Sequence, residues 1–164
     1  PVEEGMAVAD PDRDLLKLAV VNRYTETSEP SVAFIRGFGL EEGALASSVA
    51  HDSHNVVAVG ASNAALARAV NAVIRQEGGI SAVAEGTHVL PLPIAGLVSD
   101  EPHDVVARRY TRLSHFVQNE LGSPMDAPFM TLSFMALLVI PQLKLSDQGL
   151  FDGEAFTFVD PFVA

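Results

Sequence analysis

The sequence predicts an α+β fold, a two-layer sandwich in which two main amphipathic helices cover one face of a mixed, mainly antiparallel sheet. Three observations carry this expectation. Short runs rich in Val and Ile come in pairs separated by turn residues, the pattern of hairpins. Two longer segments repeat apolar residues at helical spacing between capping and stop signals. Of the 164 residues, 48% are hydrophobic, enough to furnish the core of one domain.

Residues 1–14 are polar and acidic around Pro11 and read as a lead-in segment or linker, leaving 15–164 as the domain. Residues 15–21 and 31–38 read as strands joined across T-E-T-S-E-P at 25–30. Residues 44–50 and 56–61 read as a second pair, joined by H-D-S-H-N at 51–55. The Asp, Ser and Asn there favour turns because their side chains hydrogen-bond nearby backbone. Ser62 or Asn63 can cap a helix carrying Leu66, Val70, Val73 and Ile74, with Gly78-Gly79 as its stop.

Residues 80–84 and 88–94 flank the turn Glu85-Gly86-Thr87. Pro91 and Pro93 demote the second arm to an edge strand, where a missing amide is tolerated, or to an extended segment. Ser99 or Asp100 then caps a second helix, with Pro102 in its first turn and the stripe Val106, Tyr110, Leu113, Val117 and Leu121 ahead of Gly122. Residues 129–140 are apolar without a period, so helix and buried strand both fit. Residues 156–159 read as a last short strand.

Composition narrows the chemistry. The chain has no cysteine, so disulfides, thiolate metal sites and thiol nucleophiles are excluded, and a metal would need His and carboxylates. Ten Lys and Arg against 21 Asp and Glu give a net charge of −11, the wrong sign for a phosphate backbone; no nucleic acid is expected. The longest apolar run, 134–140, is far short of the roughly 20 residues of a membrane span, so no membrane is expected either. The start, P-V-E-E-G, has neither an initiator Met nor a signal peptide and reads as a chain cut from something longer.

The chemistry-bearing residues concentrate in H-D-S-H-N. His51 and His54 flank Asp52 and would make two metal ligands in a curled loop, but no third ligand lies nearby in sequence. Ser47, Ser48 and Ser53 lie close to His51 and Asp52, yet a catalytic triad is defined by geometry and no G-x-S-x-G elbow occurs. A recognition surface able to read the edge of a small heterocycle fits five polar residues better than a turn, which needs one or two. Arg36-Gly37-Phe38-Gly39 is too short for a phosphate loop and reads as a turn. His88, His103 and His115 are isolated.

Five blocks in order, R-G-F-G-L (36–40), G-A-L-A-S-S-V-A-H-D-S-H-N-V-V-A-V-G (43–60), L-P-L-P-I-A-G-L-V-S-D (90–100), P-F-M-T-L-S-F-M-A-L (128–137) and L-K-L-S-D-Q-G-L-F-D (143–152), carry a family resemblance. From about Asp12 onward the sequence resembles the C-terminal domain of bacterial and archaeal adenine deaminases, in the amidohydrolase superfamily. The resemblance implies a cytoplasmic hydrolase of adenine catabolism and purine salvage that converts adenine to hypoxanthine and ammonia. A hydroxide on a divalent metal, manganese or iron, would attack C6 while a carboxylate moves protons.

In that family the metal ligands lie on an N-terminal barrel, which this sequence lacks. The resemblance therefore implies no catalytic residue, metal or cofactor in this chain, and no activity of the chain in isolation. It implies as partners the amidohydrolase barrel of the same protein, adenine, and further copies in a homo-oligomer. Ser48, His51, Asp52, His54 and Asn55 become substrate-proximal candidates on a loop facing the barrel's active-site mouth. The alternatives are a non-catalytic small-molecule binding or assembly module, and a stand-alone hydrolase using His51 and Asp52.

Overall fold

A computed structural model describes residues 1–26 and 29–162. The strands β1 (Val2–Glu3) and β2 (Met6–Ala7) form a small antiparallel hairpin, followed by a 3-10 turn at Pro11–Arg13. The main sheet contains β3 (Leu16–Val21), β4 (Ser31–Ile35), β5 (Ala44–Ser47), β6 (Val56–Gly60), β7 (Gly79–Val83) and β8 (Thr87–Pro91) in the order β4-β3-β6-β5-β7-β8. Every pairing within it is antiparallel. The three expected hairpins are present, although Thr27 and Ser28 of the first connection lie outside the described residues.

Helix α1 (Asn63–Arg75) begins where the sequence signals it, with Ser62 Oγ accepting from Ala65 N at 3.2 Å. Its end is closed by Gly78 N donating to Val73 O at 3.1 Å. A Cβ on Gly78 would collide with Gly96 Cα, so the glycine also allows two loops to touch. Leu66, Val70 and Val73 are buried as expected, whereas Ile74 is 52% exposed and walls a cavity.

Helix α2 (His103–Asn119) carries the anticipated stripe into the core. Its start is corrected: Pro102 occupies the N-cap and no side chain caps the helix. The Ser99 hydroxyl accepts from Glu101 N at 3.1 Å in a turn upstream, which leaves neither Ser99 nor Asp100 at the cap. The apolar stretch after residue 128 resolves into α3 (Pro128–Phe134) and irregular chain. Beyond it β9 (Leu143–Ser146), β10 (Gly149–Asp152) and β11 (Thr157–Val159) form a three-stranded antiparallel sheet, of which only β11 was anticipated.

The expected α+β sandwich is what forms, but its helices divide between the two sheet faces. Ala44, Ala46, Val56 and Ala58 meet Ala65, Leu66, Ala69 and Val70 of α1, small residues on both sides that let helix and sheet approach closely. The alternate residues Leu18, Val20, Leu45, Val57, Val59 and Ile80 pack beneath Leu113, Val117, Phe129, Leu132 and Leu145 from α2, α3 and β9. Strands apolar on both faces have to be covered on both. Among the described residues no helix is long and apolar enough to cross a membrane.

Candidate functional site

Strand register builds the site. Val21 at the end of β3 stands opposite Val56 at the start of β6, so the residues following Val21 become neighbours of those preceding Val56. The loop 22–26 is thereby brought onto H-D-S-H-N. Tyr24 Oη donates to Ser53 O at 2.7 Å, and Arg23 N donates to Asn55 Oδ1 at 3.3 Å. On the opposite side His51 N donates to Ser133 O of α3 at 3.0 Å, and the His51 ring lies 5.0 Å from that of Phe134.

The five candidates fall into different environments. Asp52 and Ser53 are exposed at the tip, His51 and His54 are half-buried at its shoulders, and Asn55 is buried. His54 adopts φ of 54°, a left-handed conformation that a side chain tolerates at a cost. Its Nδ1 is buried without a hydrogen-bond partner, as is Arg23 Nε beside the same loop. Orphaned buried polar atoms and unusual backbone concentrate where function over-determines the structure.

Ser48 is fully buried and its hydroxyl is committed to backbone. It donates to Gly96 O at 2.6 Å and accepts from Gly79 N at 2.8 Å, clasping the root of the loop to β7 and to the turn at Ile94–Val98. Ser47 similarly accepts from Val49 N at 2.9 Å. The Arg36-Gly37-Phe38-Gly39 stretch is a turn, held by the Asp14 carboxylate accepting from Gly37 N and Gly39 N.

Two cavities touch the segment from Ser48 to Val56. One of about 620 Å³ is walled by Arg23, Tyr24, Ser48, Val56, Ile74 and Glu77, among others. The other, of about 240 Å³, lies between His51, Tyr110, Phe129 and Met130. Of residues 51–55 only His51 lines either hollow; the larger one meets this segment at Ser48 and Val56. Arg23 and Tyr24 are the site residues that sequence reasoning missed; the signal that would have found them is the pairing of β3 with β6. Among the described residues no three His, Cys, Asp or Glu side chains gather in a way that could hold a metal ion.

Comparison with known proteins places this architecture. The chain is 80% identical over 163 residues to an adenine deaminase of Salinibacter ruber, covering 99% of this chain and 30% of that protein. It is 60% identical over 149 residues to one from Sulfurovum sp., covering 90% of this chain and 28% of the relative. With that of Methanosarcina mazei it shares 49% identity over 162 residues, 98% of this chain and 29% of the other. The chain therefore spans about 30% of the length of the curated relatives it matches. The family model of the adenine deaminase C-terminal domain matches residues 1–157, and the chain belongs to that family.

Proposed function

We propose that the protein containing this domain hydrolyses adenine to hypoxanthine and ammonia, and that the domain packs on the catalytic barrel and lends its 51–55 loop to the active-site mouth. The observation that carries this reading is the 80% identity across 99% of the chain to a protein named adenine deaminase. The roughly 70% of the relatives' length that this chain does not span leaves room for such a barrel. A cytoplasmic location and a role in adenine salvage accompany the same reading.

The described residues do not fit a metal centre. His51 packs on Phe134, its ring is 6.0 Å from that of His54, and among the described residues no third ligand converges on the pair. The divalent ion implied by the family would be held by the rest of the protein. What the loop offers is recognition. Asp52 is an acceptor for a purine N–H, and the imidazoles of His51 and His54 each present a donor or acceptor to a ring nitrogen. A neutral base needs such groups rather than a counter-charge, which suits an acidic chain.

The test is His51→Ala and Asp52→Ala in the full-length protein. Each should lower kcat/KM for adenine by the equivalent of about 2 to 4 kcal/mol while leaving the unfolding midpoint nearly unchanged. Unchanged kcat/KM in folded protein returns the loop to a structural role and favours a non-catalytic binding or assembly module. The chain alone, supplied with Mn2+, Fe2+ or Zn2+, should not deaminate adenine; hypoxanthine formation abolished by His51→Ala would make it a hydrolase in its own right.

A further inference from the structure

The 48–55 connection takes its shape from its neighbours. It joins two strands that a connection of about two to five residues would serve. Its own backbone supplies one closing bond, His54 N to Ala50 O at 2.8 Å. The others come from outside: Gly79 and Gly96 at Ser48, Ser133 O on one flank, and Arg23 and Tyr24 on the other. The left-handed His54 lies between the two contacts with the 22–24 segment, at Ser53 and Asn55.

We infer that Arg23 and Tyr24 are positioning residues: a strut that holds the 51–55 loop in the conformation its histidines and carboxylate need in order to act on the purine. This rests on the functional reading above. The strut is itself anchored. Arg23 Nη2 donates to Ala95 O at 2.5 Å, its guanidinium packs so closely on Gly96 that a Cβ there would collide with Nη1, and Cζ lies 5.2 Å from the Tyr24 ring centroid. Asn22 Oδ1 accepts from Tyr24 N at 2.8 Å, fixing the backbone between them, and Asn22 Nδ2 donates to Asp147 at 2.8 Å.

Core packing does not account for Tyr24, a residue that is 61% exposed. An exposed ring reaching a loop carbonyl adds little to global stability, yet it removes freedom from the segment it touches. A group displaced by about 1 Å from its reacting partner loses rate without losing the ligand. The strut therefore acts on kcat, with the loop as its intermediary.

The experiment is Tyr24→Phe in the full-length protein, a change that removes one hydroxyl and retains the ring. Expected are a fall in kcat for adenine of about 5-fold or more with KM within about 2-fold, and faster amide exchange across residues 51–55 by a similar factor, at an unchanged unfolding midpoint. Arg23→Lys, which keeps the charge and loses the planar fork, should produce the same split. Unaltered exchange at 51–55 in Tyr24→Phe overturns the strut. Faster exchange with full kcat overturns its role in catalysis. If His51→Ala and Asp52→Ala are harmless, the loop reading fails, and the exchange measurement still decides whether Tyr24 holds the loop. If they are damaging while Tyr24→Phe is silent, only the strut fails.

Discussion

The Ser48 hydroxyl lies 2.6 Å from the carbonyl oxygen of Gly96, across 48 residues of sequence, and both belong to loops that touch the 620 Å³ cavity or its wall. The same oxygen accepts from Gly79 N, so one buried side chain joins three segments.

Ser48→Ala should therefore cost about 1 to 3 kcal/mol of folding stability, because the Gly79 amide loses a buried acceptor that water cannot replace. Urea unfolding measures this cost. In the folded fraction of the full-length protein the loss of kcat/KM should be smaller than that of His51→Ala. The opposite ordering would put the hydroxyl in direct touch with the ligand.

Alkaline stability should carry two opposing contributions. Burial pushes the Tyr110 phenol above its ordinary 10.0, so the folded protein holds that proton longer than the unfolded chain does. The stabilisation is complete below pH 10 and is lost as pH rises through the folded value. Burial pushes the Lys144 ammonium below its ordinary 10.5, so the folded state favours the neutral amine. Its penalty is present at lower pH and relieved as pH rises toward 10.5. Denaturant unfolding between about pH 8 and 11 should show less alkaline loss in Tyr110→Phe and more in Lys144→Met than in the parent. Parallel curves would refute the assignment.

The chain studied alone should bind an apolar dye or self-associate. Val139, Leu143, Phe156 and Phe158 are 75%, 51%, 77% and 48% exposed, and all lie on or beside the small sheet. Phe156 and Phe158 both pack against Phe151, on the side of that sheet opposite Leu143, and exposed apolar rings of this kind are typical of a face meant for a partner. Phe156→Ser with Phe158→Ser should abolish the dye signal. A monomer in sedimentation with no dye binding before mutation would count against a buried role for this face.

Much of the fold was legible because local chemistry and tertiary structure agree. Ser62 caps the helix it announces, the α2 stripe enters the core, and Pro91 lies in an edge strand. What escaped reading depends on contacts distant in sequence. The near-continuous apolar runs leave both faces of the central strands apolar, yet nothing local says that α1 and α2 take opposite sides. The hairpin β9–β10 was hidden because Lys144 and Asp152 interrupt its apolar pattern, although Lys144 is itself 8% exposed. At the candidate site, His51, Asp52, His54 and Asn55 stood out as one polar cluster. Arg23 and Tyr24 did not, since only the Val21–Val56 register brings them there.

The edge strand β8 has a consequence for how copies of the chain behave when crowded. Leu92 N donates inward to Gly78 O, and successive amides along a strand point to opposite sides, so the nitrogen of Pro91 faces the open margin of the sheet. That margin lacks a donor where an added strand would require one. Association of the chain with itself is thereby steered toward side-chain surfaces, which separate again on dilution. The backbone stitching that propagates into fibrils is denied a template there.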